Sequence, residues 1–88
     1  MTTLTFSFES GKGYVADAIV NSDFNLHLEK EQIGLVSVYV STVDSANKVK
    51  AYETSDKIID YDFDGIVYPK YVTVCSIKPV TSGVITEN

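Results

Sequence analysis

The sequence contains no arginine and no tryptophan, and only one cysteine, one histidine and two prolines among 88 residues. Twelve acidic side chains stand against seven basic ones, giving a net charge of −5. Nucleic acid is therefore not an expected partner, because neutralising phosphates takes clustered Lys and Arg. The lone Cys75 excludes an internal disulfide, and one Cys with one His excludes a Cys/His zinc site. No apolar run approaches the roughly 20 residues of a membrane-spanning helix, so no membrane partner is expected. Without Trp, and without a partner for Cys75, the Cys and Trp markers of immunoglobulin domains are missing. Architecture can be argued from this chain, but no motif assigns it to a family.

What is present leans toward strands. Val, Ile, Tyr, Phe and Thr fill 37 of the 88 positions, against 22 for Ala, Leu, Glu, Lys, Gln and Met. Hydrophobic residues at 44% and charged residues at 22% are an ordinary globular composition. The length fits one domain, residues 1–88. A chain this short buries only about 60–65% of its unfolded surface, so its stability margin is thin without a partner. The start, Met1-Thr2-Thr3-Leu4-Thr5, has neither the basic nor the apolar region of a secretory signal. It reads as a complete small gene product or as an excised domain behind a Met. The free thiol fits a reducing compartment, and a cytoplasmic or virion-associated location is expected.

Period-two patterning recurs along the chain. Leu4, Phe6 and Phe8 alternate with Thr and Ser, predicting a strand over Thr3–Phe8 that ends at Ser10-Gly11-Lys12-Gly13. Tyr14–Val20 is apolar on both parities except for Asp17. Phe24, Leu26 and Leu28 alternate with Asn25, His27 and Glu29. The competing reading there, a helix capped by Ser22 or Asp23, would scatter its apolar residues around the cylinder. Val36, Val38 and Val40 form a fourth strand, Lys48–Tyr52 a fifth, and Ile59, Tyr61 and Phe63 a sixth. Tyr71–Ile77 has the two-sided apolar character of a central strand. Pro79 stops it, and Gly83 precedes a short last piece, Val84-Ile85. Seven or eight short strands at this spacing predict an all-β fold. The expected form is a small antiparallel β-sandwich of Ig-like architecture, or a small barrel.

The chemistry-bearing candidates are few. Asp60-Tyr61-Asp62-Phe63-Asp64-Gly65 begins like a calcium loop, but Tyr71 stands where the closing bidentate Glu is needed. The plainer reading is a row of carboxylates on the solvent face of a strand, guarding an edge against pairing. Cys75 lacks a partner base in the sequence and reads as a small buried side chain of a central strand, while His27 reads as a solvent-facing strand residue. Gly11-Lys12-Gly13 lacks the spacing of a phosphate-binding loop. No carboxylate pair is singled out for glycoside chemistry. No catalytic residue, cofactor or metal is expected, and the chain is not expected to be an enzyme.

The most informative feature is the hairpin over Val36–Tyr52. A four-residue loop, Asp44–Asn47, sets Ser41 opposite Lys50 and Tyr39 opposite Tyr52. It also sets Val49 and Ala51 on the core face. The outer face then carries Tyr39, Ser41, Lys48, Lys50 and Tyr52. Of these, Tyr39, Tyr52, Lys50 and Ser41 are the expected partner-binding residues, since Tyr gives large contact area at low entropic cost. The expected function is a non-enzymatic structural or assembly protein, a subunit of a larger homo- or hetero-oligomer. A phage or virion capsid or tail accessory is one concrete version, resting on fold analogy. The alternative is a small binding module, for example for carbohydrate, that uses exposed tyrosines.

Overall fold

The computed structural model describes residues 2–11, 13–42, 48–64 and 69–87. They form nine strands and no helix: β1 (Thr2–Thr3), β2 (Ser7–Glu9), β3 (Gly13–Val20), β4 (Phe24–Lys30), β5 (Val36–Ser41), β6 (Val49–Thr54), β7 (Ile58–Phe63), β8 (Lys70–Ser76) and β9 (Val80–Glu87). Every neighbouring pair is antiparallel. One sheet runs β1-β9-β4-β7 and the other β2-β3-β8-β5-β6. The fold is thus the expected all-β, two-sheet sandwich. Its wiring is that of a jelly roll: leaving out β2, each sheet interleaves strands from the two halves of the chain, and the first and last strands are neighbours.

Alternation explains which residues go inside. Phe24, Leu26 and Leu28 of β4, Ile59 and Phe63 of β7 and Ile85 of β9 point inward from the four-stranded sheet. Ala16 and Val20 of β3, Val36 and Val38 of β5 and Val72 and Val74 of β8 meet them from the other sheet in one cluster. β8 lies at the centre of the five-stranded sheet, as its two-sided apolar run predicts.

Three expectations are corrected. The strand over Thr3–Phe8 is split: β1 pairs with β9 in one sheet, and β2 pairs with β3 in the other. Between them Leu4 donates its N–H to the Gly83 carbonyl at 2.9 Å and is buried. The segment therefore straddles one open side of the sandwich, so a single period-two strand cannot describe it. The short last piece is instead the eight-residue β9, which runs straight through Gly83 and is flanked on both sides by β1 and β4. Gly83 is there to let the straddling segment close, since a Cβ would stand 2.7 Å from Phe6 Cε2.

The third correction is the hairpin register. Val38 lies opposite Tyr52, but Tyr39 lies opposite Lys50, leaving Ala51 as an extra residue on β6. Such a bulge flips every later side chain to the other face. Tyr52 faces the core and Ala51 is exposed rather than core-facing. Val49, before the bulge, keeps the face of Val40 but is exposed, and Tyr39, Ser41 and Lys50 keep their places on the outer face. The expected loop, Asp44–Asn47, lies outside the described residues. The turn expected at Ser10–Gly13 does join β2 to β3, with Gly11 and Gly13 at positive φ.

Candidate functional site

The outer face of the five-stranded sheet gathers three of the four expected partner-binding residues. Register places Asp17, Thr73, Tyr39 and Lys50 in one row across β3, β8, β5 and β6. Ile19, Tyr71 and Ser41 form the next row. Asp17 accepts a 2.8 Å bond from Thr73 Oγ1. Burial, reinforced by the Asp17 carboxylate, pushes the Tyr71 phenol above its ordinary range. Lys48 Nζ lies 5.8 Å from the Tyr71 ring centre. Lys50 Nζ pairs with Glu53 Oε2 at 2.6 Å, and Ser37 Oγ donates to the same oxygen at 3.1 Å. These bonds hold the Glu53 carboxyl below and the Lys50 ammonium above their usual values. Ser41 is buried, not displayed. Tyr71 carries no sequence signal of its place on this face, because its segment is apolar on both parities.

Tyr52 belongs elsewhere. It stacks on Tyr61 at 4.1 Å and meets Phe63 edge-on at 6.0 Å, on the side of the sandwich between β6 and β7.

Cys75 sits on the outer face of β8, beside Val15 and Ser37, and is half-buried. Burial is the main cause that pushes its thiol up, with Asp17 adding and Lys48 opposing. His27 is on the outer face of the other sheet, its Nε2 2.8 Å from Glu29 Oε2. The two therefore point away from opposite faces of the sandwich and form no nucleophile–base pair. Asp60 and Asp62 are exposed on β7, an edge strand, as the plainer reading predicts. Asn25 Nδ2 bridges them, donating to Asp60 Oδ1 at 2.6 Å and Asp62 Oδ1 at 2.9 Å. Among the described residues, no three His, Cys, Asp or Glu side chains group as metal ligands.

The end of the sandwich formed by the β2–β3, β4–β5, β6–β7 and β8–β9 connections was also not anticipated. Phe8, Tyr14, Ser76, Val36 and Thr54 make the last row of one sheet, and Ile58 and Glu29 lie near the matching end of the other. Five of the eight large hydrophobic side chains exposed among the described residues lie here: Phe8, Ile33, Leu35, Ile58 and Ile77. Ile77 N–H donates to the Leu35 carbonyl at 3.1 Å, tying two of these connections together. Ile33, Leu35 and Ile77 lie in connections, where apolar residues give no periodic signal, and Phe8 and Ile58 belong to strands, so sequence patterning does not group the five.

Within the same end, Lys30 is only 5% exposed. The run Glu29–Gln32 is polar enough to read as a turn, yet β4 continues through Lys30, with a bulge at Glu29/Lys30 against β9. Lys30 Nζ donates to the Gly34 carbonyl at 2.5 Å and lies 3.5 Å from that of Gln32. Burial holds its ammonium below the usual lysine range, with Asp56 pulling the other way.

Comparison with protein-family models, curated proteins and solved structures gives no match to this chain.

Proposed function

We propose that the protein is a non-enzymatic assembly subunit that meets other protein subunits through its apolar end. The observation that carries this reading is the concentration of Phe8, Ile33, Leu35, Ile58 and Ile77 on one end. Clustered exposed apolar residues mark interaction sites more than scattered ones do. The strand edges favour the same choice. β1 and β2 are two and three residues long, β6 carries the Ala51 bulge, and β7 displays Asp60 and Asp62. Short, bulged and charged edges resist pairing with another chain, so contact through the end is favoured over strand addition. A capsid or tail accessory of a phage or virion is the concrete version. Its support is analogy, because jelly rolls recur in viral capsids and also in lectins. The carbohydrate-binding alternative draws less support, since Tyr39 and Tyr52 stand on opposite faces of their sheet and make no shared platform.

Sedimentation across a dilution series tests the proposal. Self-association of the native chain is expected, and the double change Ile33→Ser with Ile77→Ser should abolish it while leaving the thermal melt in place. A native chain that stays monomeric at millimolar concentration, or association untouched by the double change, rejects this end as a self-assembly interface.

A further inference from the structure

The β4–β5 turn combines the apolar end with a buried charge. An ammonium this enclosed needs partners, because a buried charge left unpaired is costly. Lys30 finds them in the backbone of its own turn, at Gly34 and Gln32. Its backbone N–H is engaged too, donating to the Lys57 carbonyl at 2.8 Å. On the far side, Gly34 packs against the Lys78 side chain and Ile77 so closely that no Cβ fits. Ile33 and Leu35, on either side of Gly34, are both exposed.

We propose that Lys30 is the latch of the apolar end: its ammonium draws the carbonyls of the turn inward, so that Ile33 and Leu35 are presented outward beside Ile77 as one fixed surface. The inference rests on the assembly reading for what that surface is used for. The Asp56 charge is placed to favour the ammonium form against burial. A methionine at position 30 would fill similar space but leave the Gly34 carbonyl without its donor.

The Ile77 amide is the reporter, because it donates to Leu35 at the end of the latched turn. In Lys30→Met its hydrogen exchange should quicken by about tenfold or more, while amides at the centre of β8 keep their protection. Unchanged exchange at Ile77 overturns the latch. If Lys30→Met fails to fold, the native protein decides. A slowly exchanging Lys30 ammonium should give its own nitrogen–proton correlation near neutral pH, and its absence overturns the proposal. Sedimentation of the same variant judges the assembly reading separately. A loosened turn with undiminished association supports the latch and rejects assembly through this end.

Discussion

The Tyr52 and Tyr61 rings stack with centroids 4.1 Å apart and an interplanar angle of 22°. One ring comes from β6 and the other from β7, the edge strands of opposite sheets. Tyr61 also meets Phe63 edge-on at 4.8 Å, and Phe63 stacks on Phe24 at 4.7 Å. Four aromatic side chains thereby close one side of the sandwich, while Leu4 and Phe6 close the other. Aromatic pairs of this kind contribute beyond the area they bury.

Tyr52→Ser should therefore destabilise the fold by about 2 kcal/mol, well short of a fully buried aromatic because Tyr52 is half-exposed. Tyr39→Ser, on the outer face, should cost less than about 1 kcal/mol. Urea unfolding of the two single variants separates them. Equal losses would mean that the bulge at Ala51 does not set the faces of β6.

The strands legible in the sequence are those with one face buried. Phe24, Leu26 and Leu28 alternate cleanly with Asn25, His27 and Glu29, and β4 follows. What stayed hidden depends on neighbours far along the chain. A bulge leaves no mark on apolar patterning, so the sequence reveals the strand of Tyr52 but puts its ring on the wrong face. The split after Thr3 is set by pairing with β9, some 80 residues away. Lys30 reads as a turn residue by composition, and only the folded backbone gives its ammonium the carbonyls that make burial tolerable. The apolar end is assembled from connections and strand ends far apart in sequence, each unremarkable alone.

Gly83→Val should loosen the side closed by the N-terminal segment. The new Cβ would sit 2.7 Å from Phe6 Cε2 and 3.4 Å from Leu4 Cβ, so Phe6 must swing away. A cost of about 1–3 kcal/mol is expected, as for other overpacked sites. Faster exchange of the Leu4 amide, which donates to the Gly83 carbonyl, should accompany it. Adding Phe6→Ala should recover part of the loss, because the two sites touch. Simple additivity of the two changes would place the clash elsewhere.

Tyr71 should titrate after an unperturbed phenol. Its folded value is raised, first by burial and then by Asp17. Above about pH 10 the unfolded chain releases this proton while the folded chain keeps it. The contribution to stability is thus complete below that pH and is lost as pH rises through the folded value. An ultraviolet phenolate titration, with Tyr71→Phe to identify the late component, measures it. Asp17→Asn should move that component down without restoring the ordinary value, since burial remains.

Cys75 should react slowly. Burial disfavours its thiolate, and the thiolate is the nucleophile. Iodoacetamide at neutral pH should alkylate the native protein more slowly than a free cysteine, and urea should remove the difference. Native labelling as fast as the unfolded rate would place the thiol in open solvent.

Asn25→Asp should turn a satisfied row into a repulsive one. Asn25 Nδ2 now donates to both Asp60 Oδ1 and Asp62 Oδ1. Replacing the amide removes that donor and adds a third carboxylate on the same outer face, where like charges across a strand pair destabilise. A loss of about 1–2 kcal/mol at low salt is expected, shrinking as salt screens the exposed charges. The native protein should show no calcium-dependent rise in melting temperature. The point on which the Asp60 and Asp62 carboxylates converge is already taken by the Asn25 amide nitrogen, and two monodentate carboxylates fall well short of the roughly 6–8 oxygens calcium takes. In Asn25→Asp, calcium should restore part of the lost stability by neutralising charge, with a weak, salt-sensitive midpoint. A tight, chelator-reversible shift of several degrees in the native protein would mean that calcium displaces the Asn25 amide from between these carboxylates.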